Sequence, residues 1–184
     1  MKAWAKHFMK TSNGFTIVEL LIVLVVIGIL AAILFIGYGA VQNNAHDKSV
    51  QSDLNQFADI MALYSIDNQT FPGSSMSSAI EGYNFKISID SYAVAPAATY
   101  NLNYCYVDGS TDRYGLAAMS KSGKAFYLTD SSGGIKEYTD PWPADITGGD
   151  LCAAIDVAFD RSIRGYASND SVTGPWRAWT GPAL

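Results

Sequence analysis

Glu19 is the side chain with the strongest claim on chemistry, because it stands directly against a run, Leu20 to Gly39, that contains no charged residue. A carboxylate at the edge of lipid is retained at a cost, so its chemistry is charge pairing with a cation brought to it. Other candidates are sparse. Cys105 and Cys152 are the only cysteines, and His7 and His46 are too isolated in sequence for a metal site or a catalytic dyad. The acids Asp108, Asp112, Asp130, Asp140, Asp145 and Asp150 fall in or beside expected loops, but their spacing does not match an EF-hand, so they read as turn residues. No Ser/His/Asp set, phosphate loop or metal-ligand cluster stands out in the 184 residues, so the sequence points to a structural subunit and not an enzyme, with no cofactor and no metal.

The element that positions Glu19 is an apolar helix. An apolar helix of about 20 residues is ~30 Å long, the thickness of a bilayer's hydrocarbon core. Lys2, Lys6 and Lys10 precede it without an acid, which by the positive-inside rule keeps the leader in the cytoplasm and the rest of the chain outside. An ordinary secretory signal fits poorly. Its apolar region is ~7–15 residues and its polar, small-residue segment follows the run, whereas here Thr11-Ser-Asn-Gly14 comes before it. A plain signal anchor needs only charge and hydrophobicity, and so competes more strongly.

Gly14-Phe15-Thr16-Ile17-Val18-Glu19-Leu20-Leu21-Ile22-Val23 resembles the class III signal of type IV prepilins and of the related pseudopilins of type II secretion and DNA-uptake systems. The resemblance is strong over residues 10 to 34, weaker to about residue 73 and absent beyond. It implies cleavage between Gly14 and Phe15 by a prepilin peptidase that also N-methylates Phe15. Glycine suits such a site, since its missing side chain admits the protease backbone and weakens helix where the chain is cut. The cut would create an amine on Phe15 one helical turn from Glu19, cationic near neutral pH. The resemblance implies that Glu19 pairs with such an amine during assembly, either its own or that of an incoming subunit.

Beyond Tyr38 the sequence turns polar and then resumes a helical stripe, Val50, Leu54, Phe57, Met61 and Tyr64, widened by Ile60 and Leu63, with Ser52, Asp53, Gln56 and Asp59 expected opposite. One helix from Phe15 to about Asp67 would be roughly 80 Å long, stopped by Phe71-Pro72-Gly73. Many pilins carry a proline where this chain has Ile36, followed by Gly37-Tyr38-Gly39. Gly37 and Gly39 are therefore the expected place for the helix to bend or partly unwind in a filament, with close packing by small residues as the competing explanation. Asn68-Gln-Thr70 fits a glycosylation acceptor, but the pattern is too frequent by chance to carry a modification.

From about residue 83 the sequence becomes β-rich. Expected strands are Tyr83–Ile89, Thr99–Val107, Tyr114–Met119, Ala125–Thr129 and Gly134–Tyr138, separated by turns at Asp108-Gly109, Ser122-Gly123 and Ser131–Gly134. An oxidising, extracytoplasmic setting favours a Cys105–Cys152 disulfide over two buried thiols. Without residues 1–14 the chain has 9 basic and 17 acidic side chains, net −8, which argues against direct nucleic-acid binding outside a local patch at Arg161, Arg164 and Arg177. Trp176 and Trp179 are expected either to pack back on the head or to face a partner.

The expected organisation is α+β with a type IV pilin-like fold. It comprises a leader (1–14, cleaved), a transmembrane or filament-core half-helix (15–41), an amphipathic half-helix (42–70), and a head (71–184) built on an antiparallel sheet. The expected role is a type IV pilus subunit serving adhesion, twitching motility or uptake, single-pass in the cytoplasmic membrane with its amino terminus inside before assembly, and extracellular in the pilus after it. Its partners would be further copies of itself, the prepilin peptidase and N-methyltransferase, and an inner-membrane platform with its assembly ATPase. The alternatives are a pseudopilin of a secretion or competence system and a monomeric, membrane-anchored binding module.

Overall fold

The computed structural model describes residues 14–83, 85–94, 100–109, 112–143, 150–156, 158–166 and 176–180, without the side chains of residues 34–37, 150 and 178. The leader residues 1–13, including Lys2, Lys6, His7 and Lys10, and the loop acid Asp145 lie outside the described residues. Helix α1 runs Ile17–Asn68, 52 residues. Then come a short α2 (Met76–Ala79), strands β1 (Leu102–Tyr106), β2 (Tyr114–Met119), β3 (Ala125–Thr129) and β4 (Lys136–Tyr138), helix α3 (Asp150–Ile155) and strand β5 (Arg161–Arg164). The chain divides into two units, the first ending at Ala40 and the second starting at Val41.

In the first unit the apolar side chains from Ile17 to Leu30 and at Ile33 are exposed all round the helix. A helix apolar on every side finds its medium in lipid or in a bundle of like helices. By length and composition it can cross a membrane. The helix is continuous through Gly37 and Gly39, and a methyl group at Gly28 or Gly39 would touch nothing within 4 Å.

The second unit is an antiparallel sheet in the order β4-β3-β2-β1-β5, with the amphipathic part of α1 on one face and α3 on the other. Val50, Leu54, Phe57 and Met61 are fully buried there, spaced four, three and four apart as an amphipathic helix requires. The Phe57 ring lies 5.2 Å from Phe85, 5.7 Å from Tyr104, 6.5 Å from Tyr114 and 6.0 Å from Trp179. Leu102, Tyr104 and Tyr106 of β1 point into this core, while the alternate residues Asn103 and Cys105 face α3. α1 stops where Gln69 takes φ +57°, a left-handed cap, and its N–H bonds the Ser65 carbonyl at 2.8 Å. Among the expected turns, Gly109, Gly123 and Gly134 hold positive φ.

Three expectations about the second unit are corrected. Residues 85–88 are not a strand, although Phe85 and Ile87 are buried as their alternation suggests. The Ser88 N–H donates to the Asp53 carboxylate at 2.7 Å and the Ile87 N–H to the Thr180 carbonyl, while the β1 edge is occupied by β5. β5 itself was not expected, because Arg161-Ser-Ile-Arg164 lacks apolar alternation. On α1, Leu63 is outside the core and Asp53 is inside it. Position 53 lies about 60° from Val50 and about 40° from Phe57 around the helix, at the border of the stripe, so neighbouring segments decide its environment.

Candidate assembly site

The first turn of α1 is closed by Thr16 and Glu19 acting on each other. The Thr16 backbone N–H and its hydroxyl both donate to Glu19 Oε2 at 2.8 Å, and the Glu19 N–H donates back to Thr16 Oγ1 at 3.2 Å. This is a reciprocal capping box, in which a threonine and a glutamate three residues on satisfy each other's free amides. The Thr16 carbonyl accepts from the Leu20 N–H at 3.2 Å, the helix's own bond. Sequence reasoning passed over Thr16, although the Thr-x-x-Glu spacing was there to be read.

Two consequences follow for Glu19. Its carboxylate is held at the amino end of α1, where the helix dipole favours negative charge. Both Thr16 contacts fall on Oε2, so Oε1 has no hydrogen-bond donor among the described residues. Gly14 and Phe15 lie just outside the helix, with Phe15 exposed to solvent and nothing within 4 Å of a Cβ built on Gly14. The expected scissile bond is therefore in accessible, non-helical chain next to a fixed carboxylate.

Thr16→Ala is expected to fray this turn by about 1 kcal/mol, with Thr16→Ser close to wild type. Amide exchange of residues 17–20 in detergent micelles reads it. Equal protection in wild type and Thr16→Ala would show that Thr16 does not hold the turn.

In the second unit a polar seam ties α1 to the head. His46 Nδ1 lies 3.4 Å from Ser91 Oγ, Asp47 accepts a hydrogen bond from Ser122, and Asp53 accepts from the Ser88 N–H, the Ser88 hydroxyl at 3.2 Å and the Tyr92 hydroxyl at 3.0 Å. Asp47 and Asp53 are both buried. Burial pushes the Asp53 carboxyl above its usual range, against the opposing pull of its three donors. A raised folded-state pKa means that the folded chain holds its proton longer than the unfolded chain does, so this group withdraws stability as pH rises through that window. Relative to wild type, Asp53→Asn should therefore gain stability as pH rises from about 4 to 7. Melting of both chains across that range checks it, and a difference that shrinks with rising pH would contradict it.

Cys105 and Cys152 are bonded, with Cα atoms 5.4 Å apart, and the bridge holds α3 to β1. Trp179 packs back on the head, stacked on Phe85 at 6.2 Å with its indole N–H on the Arg164 carbonyl, and Trp176 leans on Tyr92 and Tyr166. Arg161 and Arg164, from the local patch considered with Arg177 in the sequence, each have a partner in the head. Arg161 pairs with Asp108 at 2.9 Å, and the Arg164 guanidinium lies 4.6 Å over the Tyr100 ring. Arg113 binds Asp156 at 2.6 Å and Asp130 at 3.3 Å, joining the turn after β3 to the end of α3. The Ala158 N–H, and then Arg113, hold the Asp156 carboxyl below its usual range. No group of three metal-ligating side chains occurs among the described residues.

Residues 9–35 match the model of the prokaryotic N-terminal methylation motif. The type IV wide pilus major component PilA4 of Thermus thermophilus is 29% identical over 127 residues, which cover 69% of this chain and 88% of that protein. No solved structure matches at a significant level. A methylation motif joined to a membrane-length apolar helix, an antiparallel head of α+β construction, and similarity that reaches well beyond the motif together make this chain similar to type IV pilins in motif, fold class and sequence.

Proposed function

We propose that the chain is a subunit of a type IV pilus, cut between Gly14 and Phe15, N-methylated on Phe15 and polymerised through the apolar part of α1. The observation that carries this reading is the Thr16–Glu19 turn beside accessible Gly14-Phe15. Cleavage converts the Phe15 amide nitrogen into an ammonium one residue from the amide that Glu19 already holds. Oε1 remains open to a second donor, so the carboxylate can keep its cap and also accept the amine of an arriving subunit. In the membrane the exposed apolar face meets lipid; in a filament it meets other copies of the same helix, and the buried charges there must neutralise each other.

The leader, residues 1–14, is the part the peptidase removes. Residues 15–41 serve as membrane anchor and then filament core, with Gly37 and Gly39 as the place where the helix yields in the packed filament. Residues 42–70 carry the head, 71–184. The chain waits single-pass in the cytoplasmic membrane, amino terminus inside, and is extruded by an inner-membrane platform and its ATPase. The similarity to a pilus major component favours this over a pseudopilin. Deleting the gene should remove surface filaments seen by electron microscopy, and supplying it again should restore them. Filaments of wild-type number and diameter in the deletion strain would refute the reading.

A further inference from the structure

The outward face of the second part of α1 lacks the character of a solvated helix. From Val41 to Ile66 that face carries just two charged side chains, Lys48 and Asp59, with Ser52, Asn55 and Gln56 between them. It has apolar residues at both ends. Val41 is 67% exposed, Leu63 53% and Ile66 74%, on a helix whose other face is buried between them, from Val50 to Met61. The cleaved chain has a net charge of −8, so copies repel each other wherever acidic surfaces approach. This stripe is where they can approach at least cost.

Lys48 and Asp59 are eleven residues apart, about three turns, so they lie on the same side of the helix ~16 Å apart along its axis. Lys48 reaches only Gln51, at 3.1 Å, and Asp59 has no hydrogen bond or ion pair among the described residues. Copies of one chain inserted in one membrane are parallel. Two parallel helices cannot align these charges in register, but a stagger of ~16 Å sets Lys48 of one copy opposite Asp59 of the next.

We infer that the outward stripe of α1 between Val41 and Ile66 is a docking surface for a second, parallel copy of this chain, with Leu63 and Ile66 as apolar anchors and Lys48–Asp59 as the intersubunit pair that sets the stagger. This inference rests on the proposed function and names one of the contacts that polymerisation would use. It is independent of Glu19, which belongs to the other end of the helix.

The test uses full-length chains expressed in the deletion strain, with filaments sheared from cells and quantified against total pilin. Lys48→Asp and Asp59→Lys each place like charges together and should lower filament yield about tenfold, the equivalent of ~1.4 kcal/mol. The double exchange, Lys48→Asp with Asp59→Lys, should return yield to within about twofold of wild type. Leu63→Lys with Ile66→Lys should lower yield at least as far as either single charge reversal, while the intact Cys105–Cys152 bridge on non-reducing gels shows that the head has folded. Normal yield from both single exchanges, or a double exchange as poor as either, overturns the inference and leaves the pilin reading standing. Wild-type filaments from Glu19→Ala would instead strike at the pilin reading itself.

Discussion

Cells making only the Glu19→Ala chain are expected to cleave the leader normally and to release almost no filament, with sheared pilin down about a hundredfold or more. Cleavage is spared because the peptidase must grip Gly14 and Phe15, which lie ahead of the helix. Assembly is not spared, because the Phe15 ammonium entering an apolar filament core finds no anion. Leaving one charge of a desolvated pair without its partner costs far more than losing an exposed ion pair. Part of the loss comes from the Thr16 cap, and Glu19→Gln separates the two effects. Glutamine can still accept the Thr16 bonds at its carbonyl oxygen but cannot neutralise an ammonium. Glu19→Gln should therefore keep the first turn and still fail to assemble. Filaments from Glu19→Gln would show that Glu19 acts as a cap and not as a counter-ion.

The second large effect belongs to the head. Replacing both Cys105 and Cys152 with serine is expected to cost about 4 kcal/mol through the 47-residue separation that the bridge closes. The bridge joins α3 to β1 beside Phe159, and α3 also packs on that face of the sheet through Leu151 and Ile155, against Tyr100 and Ala117. A head that loses α3 exposes the outer face of the sheet, including Ala117 and Tyr100. Such a chain should be degraded in cells and yield far less pilin in total. Denaturant unfolding of purified wild-type and double-serine chains measures the difference directly. A loss below about 1 kcal/mol would mean that packing under α3, and not the bridge, secures it.

The parts legible in the sequence were those governed by local periodicity. β2 and β3 run Tyr114–Met119 and Ala125–Thr129, as the turns at Asp108-Gly109, Ser122-Gly123 and Ser131–Gly134 that bound them indicate. The core stripe of Val50, Leu54, Phe57 and Met61 was equally plain. What was not legible depended on partners distant in the chain. Asp53 looked like a solvent-facing acid until Ser88 and Tyr92, 35 and 39 residues on, came to rest on it. Phe85 and Ile87 alternate as a strand would, but alternation reports burial and not the presence of a neighbouring edge. Arg161–Arg164 forms a strand because the free edge of β1 accepts it, with no signal of its own. At the assembly site the glycine, aromatic and acid were visible from their spacing. Thr16 was not singled out, since a hydroxyl beside a lone acid attracts no notice until its three hydrogen bonds are seen.

The most direct test of the central claim is the mass of the amino-terminal peptide from sheared surface filaments. The expected peptide begins at Phe15 and carries one added methyl group on its amine. A peptide still containing residues before Gly14, on a chain found only in the membrane fraction, would contradict it.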